Sequence, residues 1–272
     1  MKFLYDTVLG RFILNLMLNT GVLKLAEKWV KSGMSKGMIK RFIRKHDIDM
    51  SEFAGQEYKS YADFFMRKKE VKDMDLDEDS FISPCDGLLS AVDINDDSIF
   101  EVKGIPYRMG DLVPDEELSE KFKNGLCLIF RLEAKDYHHF CFIDDCTENG
   151  VTLIPGKVHS VQPIALEKVP VFRQNKRYWH LLGTRHLGPV IQIEVAAVLV
   201  GGAQYEIEKG LARKGQEQGH FELCGSTILI MLTEEYKNKI VFNDTCKKAL
   251  ELSEEYPVRY GKAIGKIVGT SK

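Results

Sequence analysis

The sequence predicts an α+β fold in which helices gather at the front of the chain and a mostly antiparallel β domain follows. Between residues 7 and 32, apolar residues recur at three- and four-residue spacing, which is typical of a helix. From Phe81 onward, short runs of β-forming residues alternate with clusters of Asp, Asn, Gly and Pro, a pattern that indicates strands and turns. The 272 residues and 44% hydrophobic content suffice for one sizeable domain and an accessory segment.

Three helical segments are predicted before the β domain. The first spans residues 7 to 32 and is broken or bent at Gly21, because glycine weakens a helix interior. The second is the basic stretch from Lys36 to Lys45, and the third runs from Tyr58 to Arg67.

The charged run from Glu70 to Asp79 indicates an exposed connection. We therefore place a boundary between a basic helical region, residues 1–75, and a β-rich domain, residues 76–272. Within the second domain, strands are predicted at residues 88–93, 98–103, 126–132, 139–143, 151–161, 190–200, 203–208 and 227–233.

Charge is unevenly distributed along the chain. Residues 1 to 70 hold 14 Lys and Arg against 8 Asp and Glu, a net charge of +6, while residues 71 to 272 carry −8. A front segment that is both basic and apolar favours an anionic membrane as partner over nucleic acid. The first helix can lie in a bilayer interface, or it can pack on the protein's own core. No stretch of 18 uncharged apolar residues occurs, which argues against a membrane-spanning helix.

The six cysteines form no CxxC pair and no regular framework. In a chain of this size, that distribution indicates reduced, intracellular thiols.

The pair Gly225-Ser226, followed by an apolar strand-like run, can undergo a reaction that cleaves the chain. The carbonyl of Gly225 is unhindered, so the Ser226 hydroxyl can attack it in an N-to-O acyl shift if the fold strains that peptide. Elimination of the ester and hydrolysis would leave a pyruvoyl group on residue 226 and a carboxylate on Gly225. By itself, Gly-Ser-Thr is more often a turn that enters a strand.

A wider context surrounds this pair. The pattern Lys214-Gly215-x-Glu217-x-Gly219-x-Phe221, followed by Gly225-Ser226-Thr227, resembles the processing region of phosphatidylserine decarboxylase proenzymes. Cys224 departs from the Leu or Gly that usually precedes the Gly-Ser-Thr. Further matches to the family occur in order along the chain, at Tyr61–Lys68, Ser83-Pro84-Cys85-Asp86-Gly87, Asp136-Tyr137-His138, Pro155-Gly156 and Val198–Gly202.

The resemblance implies a self-processing, pyruvoyl-dependent decarboxylase that converts phosphatidylserine to phosphatidylethanolamine at a membrane surface. The pyruvoyl group from Ser226 would capture the substrate amine as a Schiff base and serve as the electron sink. Cleavage would give a β chain, 1–225, and an α chain, 226–272. The resemblance also implies a β-rich barrel or sandwich, a peripheral position on the cytoplasmic side of the cell membrane, and a homodimer.

Two further residues, Asp86 and His138, acquire roles from the resemblance, and one expected residue is missing. Asp86 would orient a histidine that acts as base on Ser226, and His138 would handle protons in decarboxylation. The second histidine of the usual Asp-Tyr-His-x-x-His pattern falls on Cys141. We predict that strands 139–143 and 151–161 pair, which would bring His159 beside Cys141 to take the missing role. His139 is the second choice, because strand alternation points it away from His138.

Other functions stay open at this stage. The Cys141 substitution is compatible with a non-catalytic lipid-binding homologue, and a pyruvoyl enzyme can act on another amino-acid substrate. A zinc hydrolase is a third alternative, since His138, His139, Cys141, Cys146 and His159 are zinc-ligand residue types. Their spacing matches no standard zinc pattern, so no metal site is expected. The remaining histidines are interpreted as structural or surface residues: His46, His180, His186 and His220. No substrate-binding residue is identified.

Overall fold

Helices occupy the front of the chain, and strands begin at Ser80. The structure is a computed structural model that describes residues 2–20, 22–197, 202–223 and 226–269. The front helices are α1 (Lys2–Asp6), α2 (Val8–Asn19), α3 (Val22–Val30), α4 (Gly37–His46) and α5 (Tyr61–Phe65), with 3-10 turns at Gly33–Lys36 and Ser51–Phe53.

Side-chain caps fix where two of these helices begin. The Thr7 hydroxyl accepts a hydrogen bond from the Gly10 amide at 2.9 Å, at the start of α2. The Ser60 hydroxyl accepts from the Asp63 amide at 3.1 Å, at the start of α5. The predicted first helix is thus divided into α2 and α3, while Gly21, where the break was predicted, lies outside the described residues. Helix α4 confirms the second predicted helix, and α5 is shorter than predicted.

The rest of the chain alternates strands with short helices. The strands are β1 (Ser80–Ile82), β2 (Gly87–Asp93), β3 (Ile99–Val102), β4 (Ile105–Arg108), β5 (Leu126–Leu132), β6 (His139–Cys141), β7 (Cys146–Ile154), β8 (Arg177–Thr184), β9 (Pro189–Val195), β10 (Ala203–Tyr205), β11 (Gly210–Ala212), β12 (Glu217–Phe221), β13 (Ser226–Leu232), β14 (Ile240–Phe242), β15 (Tyr256–Val258) and β16 (Ala263–Ile267). The helices are α6 (Met109–Leu112), α7 (Glu116–Glu120), α8 (Pro163–Leu166), α9 (Val171–Gln174), α10 (Glu234–Lys237) and α11 (Asp244–Glu251).

Eight strands form the main sheet, in the order β11-β7-β8-β9-β13-β5-β2-β15. Two three-stranded sheets, β10-β12-β6 and β1-β16-β14, and the hairpin β3-β4 complete the β structure of the described residues. Every pair of named strands is antiparallel. The α+β class and the antiparallel character are therefore confirmed, and the described strands do not close into a barrel.

Strand β13 lies at the centre of the main sheet and is buried on both faces. It pairs with β5 on one side and with β9 on the other. Leu229 and Met231 pack into the apolar cluster on one face, and Ile228, Ile230 and Leu232 pack into the cluster on the other. A strand buried on both faces has a continuous apolar sequence, which is what residues 228–232 show.

One predicted strand pairing is wrong. Strand β7 spans Cys146–Ile154 and pairs with β8 and β11, whereas β6 pairs with β12. The predicted pairing of strands 139–143 and 151–161 requires a turn at residues 144–150, whose Asp, Asn and Gly content is typical of one. These residues instead contain an irregularity inside β7, between Glu148 and Val151, where Gly150 adopts a φ of +128°. The predicted strand ranges also lack β1, β4, β8, β11, β12, β14, β15 and β16.

The first helices dock on the sheet through a small number of side chains. Tyr5 is buried in the core cluster that also contains Leu229, and its hydroxyl accepts a hydrogen bond from the Ser160 amide at 3.0 Å. Across the described residues, no one helix has the length and apolar composition of a membrane span. Val8–Leu18 and Val22–Val30 meet those criteria only jointly, as a pair bent by 69°.

Candidate active site

Ser226 is the first residue of the central strand β13 and is only 1% exposed. It lies opposite Leu132 of β5. Strand alternation puts Ser226 on the same face as Ile228, whose cluster includes Phe140 and Phe221 of the small sheet. Residues 224–225, including the predicted cleavage residue Gly225, lie outside the described part of the chain. The predicted nucleophile is therefore held by sheet pairing in a site that excludes bulk water.

His138 is anchored next to the strand partner of Ser226. Its Nε2 donates a hydrogen bond to the carbonyl oxygen of Glu133 at 3.0 Å, and Glu133 directly follows Leu132. The Phe221 amide donates to the His138 carbonyl oxygen at 2.9 Å, and the imidazole lies 4.0 Å from the Phe65 ring, centroid to centroid. These contacts attach the ring both to β5 and to the segment that leads to the cleavage site.

The same contacts determine the chemical form of His138. Because Nε2 donates, Nδ1 is the acceptor nitrogen of a neutral ring. Nδ1 is buried and has no hydrogen-bond partner among the described residues. Burial, with a further contribution from the positive charge of Arg67, lowers the pKa of His138 to about 3. A neutral base with an unused acceptor thus lies in the site at physiological pH.

Asp86 directly precedes a residue that is aligned with Ser226 across the strands of the main sheet. The register of β2 with β5 brings Gly87 opposite Leu132, the residue that Ser226 faces from the other side. A Cβ on Gly87 would lie 2.6 Å from the Arg131 carbonyl oxygen, so only glycine permits this approach. Neighbouring strands are about 4.8 Å apart, which puts Asp86 roughly 10 Å from Ser226 across the sheet.

The Asp86 carboxylate accepts a hydrogen bond from the Tyr260 amide at 2.7 Å and lines a cavity of about 580 Å³. Asp136 lines the same cavity, and burial, with the negative charge of Asp86 contributing, raises the pKa of Asp136 to about 6. Arg67 lies beside both carboxylates, is 3% exposed, and donates to the Lys135 and Asp136 carbonyl oxygens at 2.8 and 3.1 Å. A basic residue at a helix end is usually solvated, whereas Arg67 is a buried cation at the cavity wall.

Cys141 occupies the position at which the family pattern has a histidine. Its amide donates to the Pro84 carbonyl oxygen at 2.9 Å, and its thiol lies 3.9 Å from the Ser83 carbonyl oxygen, so it packs against the segment that leads to Asp86. Burial raises the pKa of the Cys141 thiol to about 12, and the contact with Tyr260 opposes this only in part. The thiol is therefore not a base at neutral pH.

The structure does not bring His159 next to Cys141. His159 follows β7 by five residues and lies outside the named strands, while Cys141 faces Glu217 across the β6–β12 pair. Nor does any contact join His159 to Asp86 among the described residues. The strand pairing from which His159 was placed beside Cys141 is therefore incorrect.

His159 instead lies on the other flank of Ser226. Asn175 accepts from the His159 amide at 2.9 Å and donates through Nδ2 to the carbonyl oxygens of both His159 and Ala196, each at 2.8 Å. Thr227 pairs with Val195, so Ala196 is the next position along β9 beside Ser226. One amide side chain thus connects His159 to the backbone alongside the predicted nucleophile.

The His159 ring faces a cavity of about 440 Å³ beneath α1 and α2, and its centroid lies 6.3 Å from that of the Tyr5 ring. Both ring nitrogens are buried without a hydrogen-bond partner in the described part of the chain. Burial lowers the pKa of His159 to about 4, with Lys157 acting in the same direction and Gln174 in the opposite one. His159 is thus a second neutral imidazole, and its backbone is connected through Asn175 to the chain beside Ser226.

His139, the second choice for the missing base, has both ring nitrogens in use. Nδ1 lies 2.7 Å from Glu217 Oε1, and Nε2 lies 3.2 Å from the Met66 carbonyl oxygen. In the sequence, Glu217 is notable only as part of the motif that precedes the cleavage site. Its contact with His139 joins residues 78 positions apart, which no local pattern indicates.

Similarity to known proteins covers most of the chain. The model of the phosphatidylserine decarboxylase family matches residues 61–266. Phosphatidylserine decarboxylase proenzyme 2 of Clostridium acetobutylicum is 39% identical over 97% of this chain and 91% of the relative. The phosphatidylserine decarboxylase proenzyme of Clostridium novyi is 36% identical over 97% and 92%, respectively, and that of Desulfitobacterium hafniense strain DCB-2 is 38% identical over 85% and 79%.

The environment of His138 predicts a pH-dependent contribution to stability. Its pKa is about 3 in the folded protein against an ordinary value of 6.5, so the unfolded chain binds more protons between these pH values. The contribution is fully present above about pH 6.5 and declines as the pH falls, by about 2 kcal/mol between pH 7 and pH 5. Urea unfolding at pH 7 and at pH 5 measures this contribution in Ser226→Ala and in Ser226→Ala/His138→Leu. The double variant lacks the imidazole, so its free energy of unfolding should fall less between the two pH values. Equal losses would contradict the buried, neutral state of His138.

Proposed function

The chain belongs to the phosphatidylserine decarboxylase family, and we propose that Ser226 is the source of its pyruvoyl group. The protein is a decarboxylase, made as a proenzyme, that converts phosphatidylserine to phosphatidylethanolamine. The observation that best supports Ser226 as the reactive residue is its burial at the first position of β13, with His138 hydrogen-bonded to the residue beside its strand partner.

Self-processing requires only groups of the chain itself. The Ser226 hydroxyl attacks the Gly225 carbonyl carbon as its proton passes to a base, and the peptide bond becomes an ester. β-Elimination then releases Gly225 as a carboxylate and leaves dehydroalanine at 226. Its imine tautomer takes up water and loses ammonia, which leaves the pyruvoyl group. The cleaved α chain, 226–272, would stay in place because β13 remains paired with β5 and β9.

The surroundings of Ser226 fit a pyruvoyl group. When present, that group supplies the carbonyl that withdraws electrons from the substrate as CO2 leaves. The unpartnered Nδ1 of His138 is the buried group that can take up and return a proton beside it. Phe65 and Phe221 flank the His138 ring and exclude water, which favours loss of the substrate's carboxylate charge.

We assign the base for processing to His159. Its buried ring nitrogens make no hydrogen bond of standard length among the described residues, and only the Gln174 side chain approaches closely enough to raise the His159 pKa. Both ring nitrogens of His139, in contrast, contact acceptors. Asp86 is proposed to act from the opposite flank, through its charge at the segment that contains Cys141. The family resemblance implies instead that Asp86 orients the histidine that acts as base. Here Asp86 lies on the β2 side of Ser226 and His159 on the β9 side, so Asp86 does not orient His159.

The membrane surface is assigned to α1–α3. Several large apolar side chains of these helices are exposed: Phe3, Val8, Leu9, Phe12, Leu16, Val22, Leu25 and Trp29. Arg11, Lys24 and Lys28 are interspersed among them and can face anionic headgroups. We propose that residues 1–75 hold the enzyme peripherally on the cytoplasmic side of the membrane, so that the substrate's acyl chains stay in the bilayer.

The finer architecture and assembly are also proposals. The small sheet β10-β12-β6 shares a cluster with one face of the main sheet, which favours a sandwich-like body. A homodimer is proposed from the family resemblance, and sedimentation of the detergent-free protein at 31.0 kDa would exclude it.

Decarboxylation of phosphatidylserine in vesicles tests the assignment of Ser226 and His138. The wild-type protein should form phosphatidylethanolamine, and Ser226→Ala should form none. His138→Ala should still cleave itself but lose about 10²- to 10⁴-fold in rate, because only proton handling is removed. His186→Ala is a control, because the His186 side chain contacts Asp144 and none of the proposed site residues, and it should match the wild type. Unchanged activity of His138→Ala would remove it from the mechanism.

Denaturing gels of freshly expressed variants test the base. His159→Ala should remain an uncleaved chain, whereas His139→Ala and the control His186→Ala should be processed. Asp86→Asn should slow processing. Circular dichroism establishes that each variant is folded. Complete self-cleavage of folded His159→Ala, together with arrest in His139→Ala, would transfer the role to His139.

Sedimentation with phosphatidylserine vesicles tests the membrane surface. Phe12 is 67% exposed on α2, and Leu211 is 84% exposed on β11 of the body. Burial of a Phe side chain in lipid contributes about 2 kcal/mol, so Phe12→Ser should weaken vesicle binding roughly tenfold or more. Leu211→Ser is the matched control and should bind like the wild type. Equal binding by both variants would place the lipid contact elsewhere.

A further inference from the structure

Three potential metal ligands meet on the β6–β12 strand pair. One ligand atom each from His139, Glu217 and His220 lies within 4.8 Å of the other two. We propose that this β6–β12 cluster binds a divalent transition-metal ion of the zinc type. The proposal goes beyond the decarboxylase chemistry, because no processing or decarboxylation step uses these three side chains together.

The backbone places the three side chains on one face. His139 and His220 are direct cross-strand partners, so their side chains project to the same side. Glu217, three residues before His220, would face the opposite side of a regular strand. The register shift between Glu217 and Gly219 adds a residue and returns Glu217 to the face of His220.

The contacts around His139 match those of a metal-bound histidine. Such a ligand commonly donates its second ring N–H to a backbone carbonyl, and Nε2 of His139 faces the Met66 carbonyl oxygen at 3.2 Å. Nδ1 is then directed at Glu217 Oε1, 2.7 Å away. A cation between these two atoms would replace the proton that bridges them, and that proton would be released to solvent.

His220 and Glu217 each offer an atom that can bind the ion. Nδ1 of His220 is buried and has no hydrogen-bond partner among the described residues, so a donor atom is available. Lys68 binds Glu217 Oε2 at 2.7 Å, which orients the carboxylate and leaves Oε1 as a single ligand oxygen. Glu217 retains 21% side-chain exposure, which provides a path for the ion from solvent.

Binding a zinc ion requires only small changes in the distances between the three ligand atoms. Zinc bonds of about 2.0–2.1 Å in a tetrahedral site separate ligand atoms by about 3.3 Å, and water can supply the fourth ligand. The His139–Glu217 pair must open from 2.7 Å, and the most distant pair must close from at most 4.8 Å. Rotation of side chains on a fixed strand pair can make both changes.

Cobalt titration of the chelator-stripped protein tests the site directly, since tetrahedral Co²⁺ has strong visible absorption. We expect one equivalent of Co²⁺ per chain, displaced by Zn²⁺, with bands of nitrogen and oxygen ligands. Glu217→Gln and His220→Ala should each weaken binding about 10- to 100-fold. His186→Ala is the matched control, because His186 also contacts a carboxylate, Asp144, at 2.8 Å, and its affinity should be unchanged.

Several outcomes would overturn the site. These are the absence of saturable Co²⁺ binding, thiolate-to-cobalt charge-transfer bands, and unchanged affinity in folded Glu217→Gln. The Gln variant keeps the size of the side chain, so the test remains decisive even where His220→Ala fails to fold. Equal weakening by His186→Ala would likewise contradict the assignment.

Discussion

The pairing of β13 between β5 and β9 is the constraint on which the rest of the structure depends. Seven successive residues of β13 face β5, six face β9, and every residue from Ser226 to Leu232 is buried. A nucleophile at the first position of such a strand cannot move far, so neighbouring groups can be positioned against it. The same ladders would retain a cleaved fragment, which allows a chain to be cut inside its core without coming apart.

The two flanks of Ser226 have different chemistry. On the β5 side, His138 is fixed through Glu133 in a tautomer that leaves one acceptor nitrogen unused. On the β9 side, Asn175 connects His159 to Ala196. Burial lowers the pKa of both imidazoles, so each keeps an unprotonated ring nitrogen near neutral pH. We therefore propose that the two flanks have separate roles, with processing at His159 and decarboxylation at His138.

Local patterns predicted much of the fold, and long-range pairing explains what was missed. The apolar run at residues 228–232 and the basic helix α4 follow directly from the sequence. The pairing of β6 with β12 joins residues 76 to 81 positions apart, which no local pattern encodes. The irregularity in β7 has the composition of a turn, so the strand was placed too late and His159 was wrongly paired.

For the candidate site, the sequence indicates individual residues but not their arrangement in space. Ordered motifs identified Ser226, His138 and Asp86 one at a time, but their relative positions depend on sheet register. The burial of Arg67 was not predictable, because a basic residue at a helix end is usually solvated. The contacts of His139 and His220 with Glu217 required the register shift in β12, which a sequence of alternating polar residues does not reveal.

Mass spectrometry of the purified, denatured protein tests the central claim that Ser226 cuts the chain and becomes a ketone. The account predicts two polypeptides, one ending at Gly225 and one starting at position 226, the second lighter by one ammonia than a fragment with an amino-terminal serine. A single species at 31.0 kDa from folded wild-type protein, or a second fragment with an ordinary serine at its start, would contradict it.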